Sequence, residues 1–170
     1  VLASKRKLRE FGALSHTDWL WLCLAALMLI GNYVFFLIGL DMTSPANAQV
    51  FIQMAPLLMT LGGVLIFKES FNRFQMLGVV SILVGLCLFF SDQIKQIISS
   101  DYTLGIWVMF AAALTWAIYA LIQKKLATRL SSQSILCFIY VFASVVMVFW
   151  SDFSGFGQIQ PLQWWAIAYA

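Results

Sequence analysis

The fold class this sequence predicts is all-α: a polytopic bundle of transmembrane helices. Three observations predict it. The chain is 62% hydrophobic and only 10% charged, whereas a soluble domain is nearer half apolar and a quarter charged. Its apolar residues form runs long enough to cross a bilayer, separated by short polar links. Its basic residues fall almost entirely on alternate links. A core of this size cannot hide so much apolar surface, so the natural solvent of these helices is lipid.

The runs predict five full spans, each about the 17–20 residues that hydrocarbon requires. The first is Trp19–Leu40, preceded by the basic stretch "SKRKLRE". After "DMTSP" comes Ala46–Phe67, with Pro45 suited to a first helical turn. "KESFNR" leads to the third span, Phe74–Phe90, where Gly78, Ser81 and Gly85 form a small-residue stripe suited to close helix packing. The fourth is Leu104–Gln123 and the fifth Ser134–Trp150. The third and fifth are short and should stand nearly upright. Leu162–Ala170 begins a sixth. The ends, Val1 and an apolar helix that halts partway, predict an interior piece of a longer protein. The short links predict antiparallel neighbours.

Charge orients the bundle. Lys5, Arg6, Lys7 and Arg9 precede the first span, Lys68 and Arg73 follow the second, and Lys124, Lys125 and Arg129 follow the fourth. Those three loops (1–18, 68–73 and 124–133) lie on one side and hold nine of the ten basic residues, Lys95 being the exception. By the positive-inside rule that side is cytoplasmic. Topology accounts for the net charge of +3, which therefore gives no nucleic-acid signal. Trp19, Trp21, Trp107, Trp150, Trp164 and Trp165 fall at span ends, where indoles prefer to sit. Trp116 is near mid-span.

The candidate site begins with "QVFIQMAPLLMT". At 100° per residue, Gln49, Gln53, Pro56 and Thr60 share an arc of about 60° on one helix face. Lipid cannot satisfy glutamine amides. Pro56 lacks an N–H and should leave the Ile52 carbonyl without its usual donor. Two readings stay open: a helix contact in which the amides bond across helices, or the wall of a polar cavity. Asn32 lies mid-way along the first span. In the fourth, Trp116 and Tyr119 share a face with Ala112 and Gln123. Core aromatics or cavity lining would each explain them. No carboxylate is mid-span, so ion coupling has no support here. Cys23, Cys87 and Cys137 are scattered in apolar runs and suit packing rather than a disulfide framework. With a single histidine, His16, no metal cluster can be assembled.

The stretch from Gly39 to Phe90 resembles the EamA-type repeat of the drug/metabolite transporter superfamily. The matching features are Thr43–Ala46 at a helix start, Pro56 within the helix, Glu69 at its end, and Gln75 with Gly78 opening the next, with Gly85 further on. "ALTWAIYALIQKKL" is similar to the first helix of that family's second repeat. The resemblance implies part of a ten-helix inverted-repeat transporter. Residues 1–92 would be the end of the first repeat, 93–103 a non-cytoplasmic linker, and 104–170 the truncated start of the second. It also implies a central cavity and the movement of small metabolites, amino acids or related polar and amphipathic solutes among them. Glu69 is read as structural, an ion-pair or capping group beside Lys68 and Arg73.

Three functions compete. A transporter explains the polar face and predicts alternating access, with Asn32, Gln49 and Gln53 bonding a solute while Trp116 and Tyr119 pack on it. A membrane enzyme would need metal ligands or paired carboxylates that the sequence lacks. A non-transporting scaffold or receptor explains the glycines but gives the Gln–Pro face less purpose. The expected partners are the bilayer and a small solute, with no nucleic acid and no cofactor, and the reading leaves room for a homodimer.

Overall fold

The computed structural model describes residues 11–12, 14–91 and 100–151. The expected sixth helix at Leu162–Ala170, the basic run Lys5–Arg9 and Lys95 lie outside the described residues. Among the described residues six helices carry the fold: α1 (His16–Met42), α2 (Pro45–Phe51), α3 (Met54–Phe67), α4 (Arg73–Ser91), α5 (Ser100–Leu126) and α6 (Ser132–Trp150). Among them five segments are long and apolar enough to cross a membrane, and α2 with α3 make one of these, Pro45–Phe67. All five expected spans are present, each with an added turn or less at its ends.

Local chemistry sets those ends. Ser15 caps α1. Its Oγ accepts from the Asp18 N–H, while Asp18 Oδ2 accepts from the Ser15 N–H at 3.1 Å, a reciprocal capping box. This starts α1 at His16 rather than Trp19. Ser44 Oγ accepts from the Asn47 N–H ahead of Pro45, and Thr43 Oγ1 donates back to the Gly39 carbonyl. Lys68 ends α3 in the left-handed region (φ 54°), and the next N–H, that of Glu69, donates to the Gly63 carbonyl at 3.4 Å. Gln75 Oε1 accepts from the Asn72 N–H at 2.9 Å and closes the start of α4.

The second span is discontinuous. Ile52 and Gln53 form a tight turn, and the Gln53 N–H donates to Val50 O at 3.1 Å. The Ile52 carbonyl does not lack a donor as expected, because it accepts from the Ala55 N–H at 3.0 Å. The physical reason is the break itself. In a straight helix the Pro56 ring would strike that carbonyl. The turn moves Pro56 into the first turn of α3, where backbone N–H groups have no helical partner anyway.

Packing departs from chain order. The most extensive interface joins α1 to α5, followed by α3 with α5 and α1 with α6. Ala25 and Ala26 of α1 and Ala112, Ala113 and Ala117 of α5 are all buried. Such small side chains let backbones approach, which substitutes for a hydrophobic drive between helices in lipid. Gly105 fits so closely that a Cβ there would lie 2.6 Å from Thr43 Cγ2 and 2.9 Å from Met42 Cβ. Contacts Asp18–Arg129, Asn32–Ala112 and Thr43–Gly105 make α1 antiparallel to α5. Contacts Gly62–Leu121 and Glu69–Lys124 make α3 parallel to it. The start of α1 and the ends of α3 and α5, with their basic residues, therefore share one end of the bundle, as the charge pattern requires.

One core lies toward that basic end: Leu22, Ala25, Ala26 and Leu29 of α1 meet Tyr119, Ile122 and Leu126 of α5, with Ile135 and Ile139 of α6. A second joins Ala48 and Phe51 to Met109, and Phe51 meets Phe90 with the rings tilted by 40° and their centroids 4.6 Å apart. Elsewhere large apolar side chains such as Leu65, Phe74, Leu88 and Phe149 face outward. This surface suits hydrocarbon.

Candidate functional site

The α1–α5 seam holds three of the sequence candidates. Asn32 follows the Leu29 turn and is only 4% exposed. Its Nδ2 donates to the Ala112 carbonyl at 2.8 Å, an oxygen that also accepts from Thr115 Oγ1 at 2.9 Å. Tyr119 is buried with Leu29 in the core. Trp116 is half-buried and meets Tyr119 edge-on, ring centroids 6.3 Å apart. Ala112 and Tyr119 are thus buried on the side of α5 that meets α1, with Trp116 beside Tyr119.

The second span presents its candidates elsewhere. Gln49, Gln53 and Pro56 are exposed, and Thr60 is half-buried. A turn at Ile52–Gln53 falls between them, yet Gln53 and Thr60 both line hollows shared with α4. Thr60 Oγ1 donates to the Pro56 carbonyl at 2.8 Å, so its hydroxyl is satisfied within the helix. Gln53 lines a groove of about 390 Å³ with Val50, Ile82, Gly85, Leu86 and Phe89. Gln53 and Gly85, read from sequence as a cavity group and a packing group, thus border the same hollow between α2 and α4. Gly78 and Gly85 would meet no described atom within 4 Å if given a Cβ, and Ser81 Oγ donates to the Leu77 carbonyl.

A polar constellation at the basic end went unread in the sequence. Glu69 pairs with Lys124, rather than with Lys68 or Arg73. The same ammonium lies 5.3 Å from the Phe67 ring centroid. Arg129 Nη1 donates to both Asp18 oxygens, at 3.1 and 3.0 Å. Lys125 Nζ sits 3.9 Å from the Trp21 ring centroid. Three basic residues that charge counting treats only as topology signals thus bind the bundle together: Lys124 reaches Glu69 past α3, while Lys125 and Arg129 reach the first turns of α1. The pattern Ser15-x-x-Asp18, a capping-box signature, was the available clue that Asp18 is a fixed structural carboxylate. Glu69, Thr60, Gln75 and Lys124 also line a hollow of about 210 Å³. Among the described residues, no group of three or more His, Cys, Asp or Glu could hold a metal.

Comparison with known proteins agrees with this architecture. The chain is 31% identical over 163 residues to an uncharacterized transporter of Haemophilus influenzae, covering 95% of this chain and 53% of that protein. It is 32% identical over 171 residues to the uncharacterized inner membrane transporter YhbE of Escherichia coli K12, covering 99% of this chain and 52% of the relative. A more distant relative, the uncharacterized transporter YyaM of Bacillus subtilis, is 23% identical over 154 residues. The chain spans about half the length of these curated relatives. No solved structure matches it. The family model for EamA-like transporters matches residues 2–91 and again 103–170, nearly the whole sequence, and the chain belongs to the EamA-like transporter family.

Proposed function

We propose that the full-length protein is a transporter of the inner membrane. It would carry small polar or amphipathic metabolites, amino acids or related solutes among them, by alternating access. The observation that carries this reading is the broken second span. A transmembrane helix is interrupted at Ile52–Gln53, and the residue at the break is a glutamine bordering a groove. Irregular backbone at membrane depth is tolerated where it lines a cavity or is buried in protein, and transporters build solute sites at such interruptions. In this reading Gln49 and Gln53 bond the solute at the groove beside α4, while Asn32, Trp116 and Tyr119 hold the α1–α5 seam.

The two segments matched by the family, 2–91 and 103–170, would act as two repeats that rock against each other. The Glu69–Lys124 and Asp18–Arg129 pairs join one segment to the other at the basic end. They support a state closed on that side, to be undone when the basic side opens.

The test is counterflow in proteoliposomes holding full-length protein and a panel of small metabolites. Losing one hydrogen bond to a polar solute weakens binding by about fivefold or more. Gln53→Leu should reduce uptake by at least that factor while insertion and expression stay normal. Unchanged uptake by well-inserted Gln49→Leu and Gln53→Leu proteins would remove the site.

A further inference from the structure

We propose that the basic end of the α1–α5 seam binds one anionic phospholipid. Its phosphate would be held by Lys125 and Arg129, and one acyl chain would lie in an apolar groove alongside. This inference goes beyond transport and does not rest on it.

Two hollows meet here. The first, about 370 Å³, is bounded by Thr17, Asp18, Trp21, Lys125, Thr128 and Arg129. The second, about 190 Å³, runs between α1, α3 and α5 and is walled by Leu24, Ile66, Phe67, Ile118 and Leu121. Trp21 and Lys125 belong to both. A polar chamber and an oily trough joined through one pair of residues have the shape of an amphiphile. Leu24 and Ile66 are exposed, so the trough is open along its side.

The charges favour an anion. Among the described residues Asp18 is the one carboxylate bounding the polar hollow, and it is already neutralised: it accepts from Ser15 N, Ser15 Oγ and Arg129. Arg129 uses Nη1 for those bonds and remains 64% exposed at the side chain, leaving the rest of its fork for a phosphate oxygen. Among the described residues Lys125 has no carboxylate partner, only the Trp21 ring. A phosphate can bond this ammonium while the indole stays beneath it. The Thr17 and Thr128 hydroxyls add polar atoms at the rim. An indole near a helix end lies at headgroup depth, and basic pockets between helices on the cytoplasmic side suit anionic headgroups. Free phosphate would fill only the polar half. The trough is what selects a lipid.

The test uses full-length protein, native mass spectrometry, and mixed micelles of palmitoyl-oleoyl phosphatidylglycerol and the matching phosphatidylcholine. Wild type should retain one phosphatidylglycerol in preference to phosphatidylcholine. A single surface cation is worth about fivefold in such binding, so Lys125→Gln should lower phosphatidylglycerol retention by about that factor. Lys125→Arg should keep it. Ile66→Trp, which fills the trough, should lower it too, and excess inorganic phosphate should fail to displace the lipid. Equal retention of the two lipids by wild type, or no loss in a folded Lys125→Gln protein, overturns the proposal. Displacement by inorganic phosphate with no effect of Ile66→Trp overturns it in favour of a free-anion site. If Lys125→Gln does not fold, wild type still decides: retention of phosphatidylglycerol, and not of phosphatidylcholine, must fall as salt rises.

Discussion

The Glu69 carboxylate, just past the end of α3, pairs with the Lys124 ammonium near the end of α5, 55 residues along the chain. It ties together two parallel helices that have no direct link in sequence. Both side chains are about half exposed, 47% and 49%, which limits what the pair contributes. A double-mutant cycle with Glu69→Gln and Lys124→Gln should give a coupling of about 1 kcal/mol or less, shrinking with salt. Unfolding of the full-length protein in mixed micelles measures it. A coupling several times larger would mean the pair is shielded from solvent in the intact protein.

Close approach at Gly105 should be far less forgiving. An added methyl would press on Met42 Cβ at 2.9 Å, an atom fixed to the backbone, and on Thr43, whose hydroxyl is held by Gly39. Gly105→Ala should destabilise by about 1–3 kcal/mol, the usual range for overpacking. Gly62→Ala meets only the Leu121 side chain, which can turn aside, so its cost should be smaller. The same unfolding assay ranks the two, and the reverse order would contradict the α1–α5 geometry.

Asn32 offers a test of the seam's chemistry. Interhelical hydrogen bonds in membranes average about 0.6 kcal/mol and reach about 1.7. Asn32→Leu should therefore destabilise only modestly, since Ala112 O keeps its bond from Thr115. Asn32→Asp should do much worse at neutral pH, because it sets a buried carboxylate against a carbonyl oxygen. Equal losses for the two variants would show that this position is wet in the intact protein.

Pro56→Ala separates the stability of the break from its use. Alanine allows the chain through Ile52–Gln53 to continue as one helix, its N–H taking the place of the Ala55 N–H at the Ile52 carbonyl. Stability should be unchanged or rise by up to about 1 kcal/mol, while transport by the full-length protein should fall. A variant that destabilises the protein and transports normally would reverse both expectations.

The five spans were legible because each depends on a run of apolar residues and on chain length alone. The break in the second span was half legible. Pro56 signalled a disturbed backbone, but whether Ile52 O went unbonded depended on how the chain turned at Gln53. The candidate site was only partly legible, because a face on one helix does not say which helix it meets. Gln53 and Thr60 border hollows shared with α4, while Asn32 and Tyr119 are enclosed between α1 and α5.

By itself, the sequence determined the lipid surroundings, the number and place of the spans, and the end of the bundle that gathers positive charge. Each follows from local composition, since burying a helix in hydrocarbon is a property of the helix. Only the tertiary structure decided which spans touch and which charges pair: Asp18 with Arg129, Glu69 with Lys124, Lys125 over Trp21. In lipid every span is apolar enough to suit its surroundings. The choice of partner then rests on close contacts of small side chains and a few polar bonds, and these exist only once the helices are side by side.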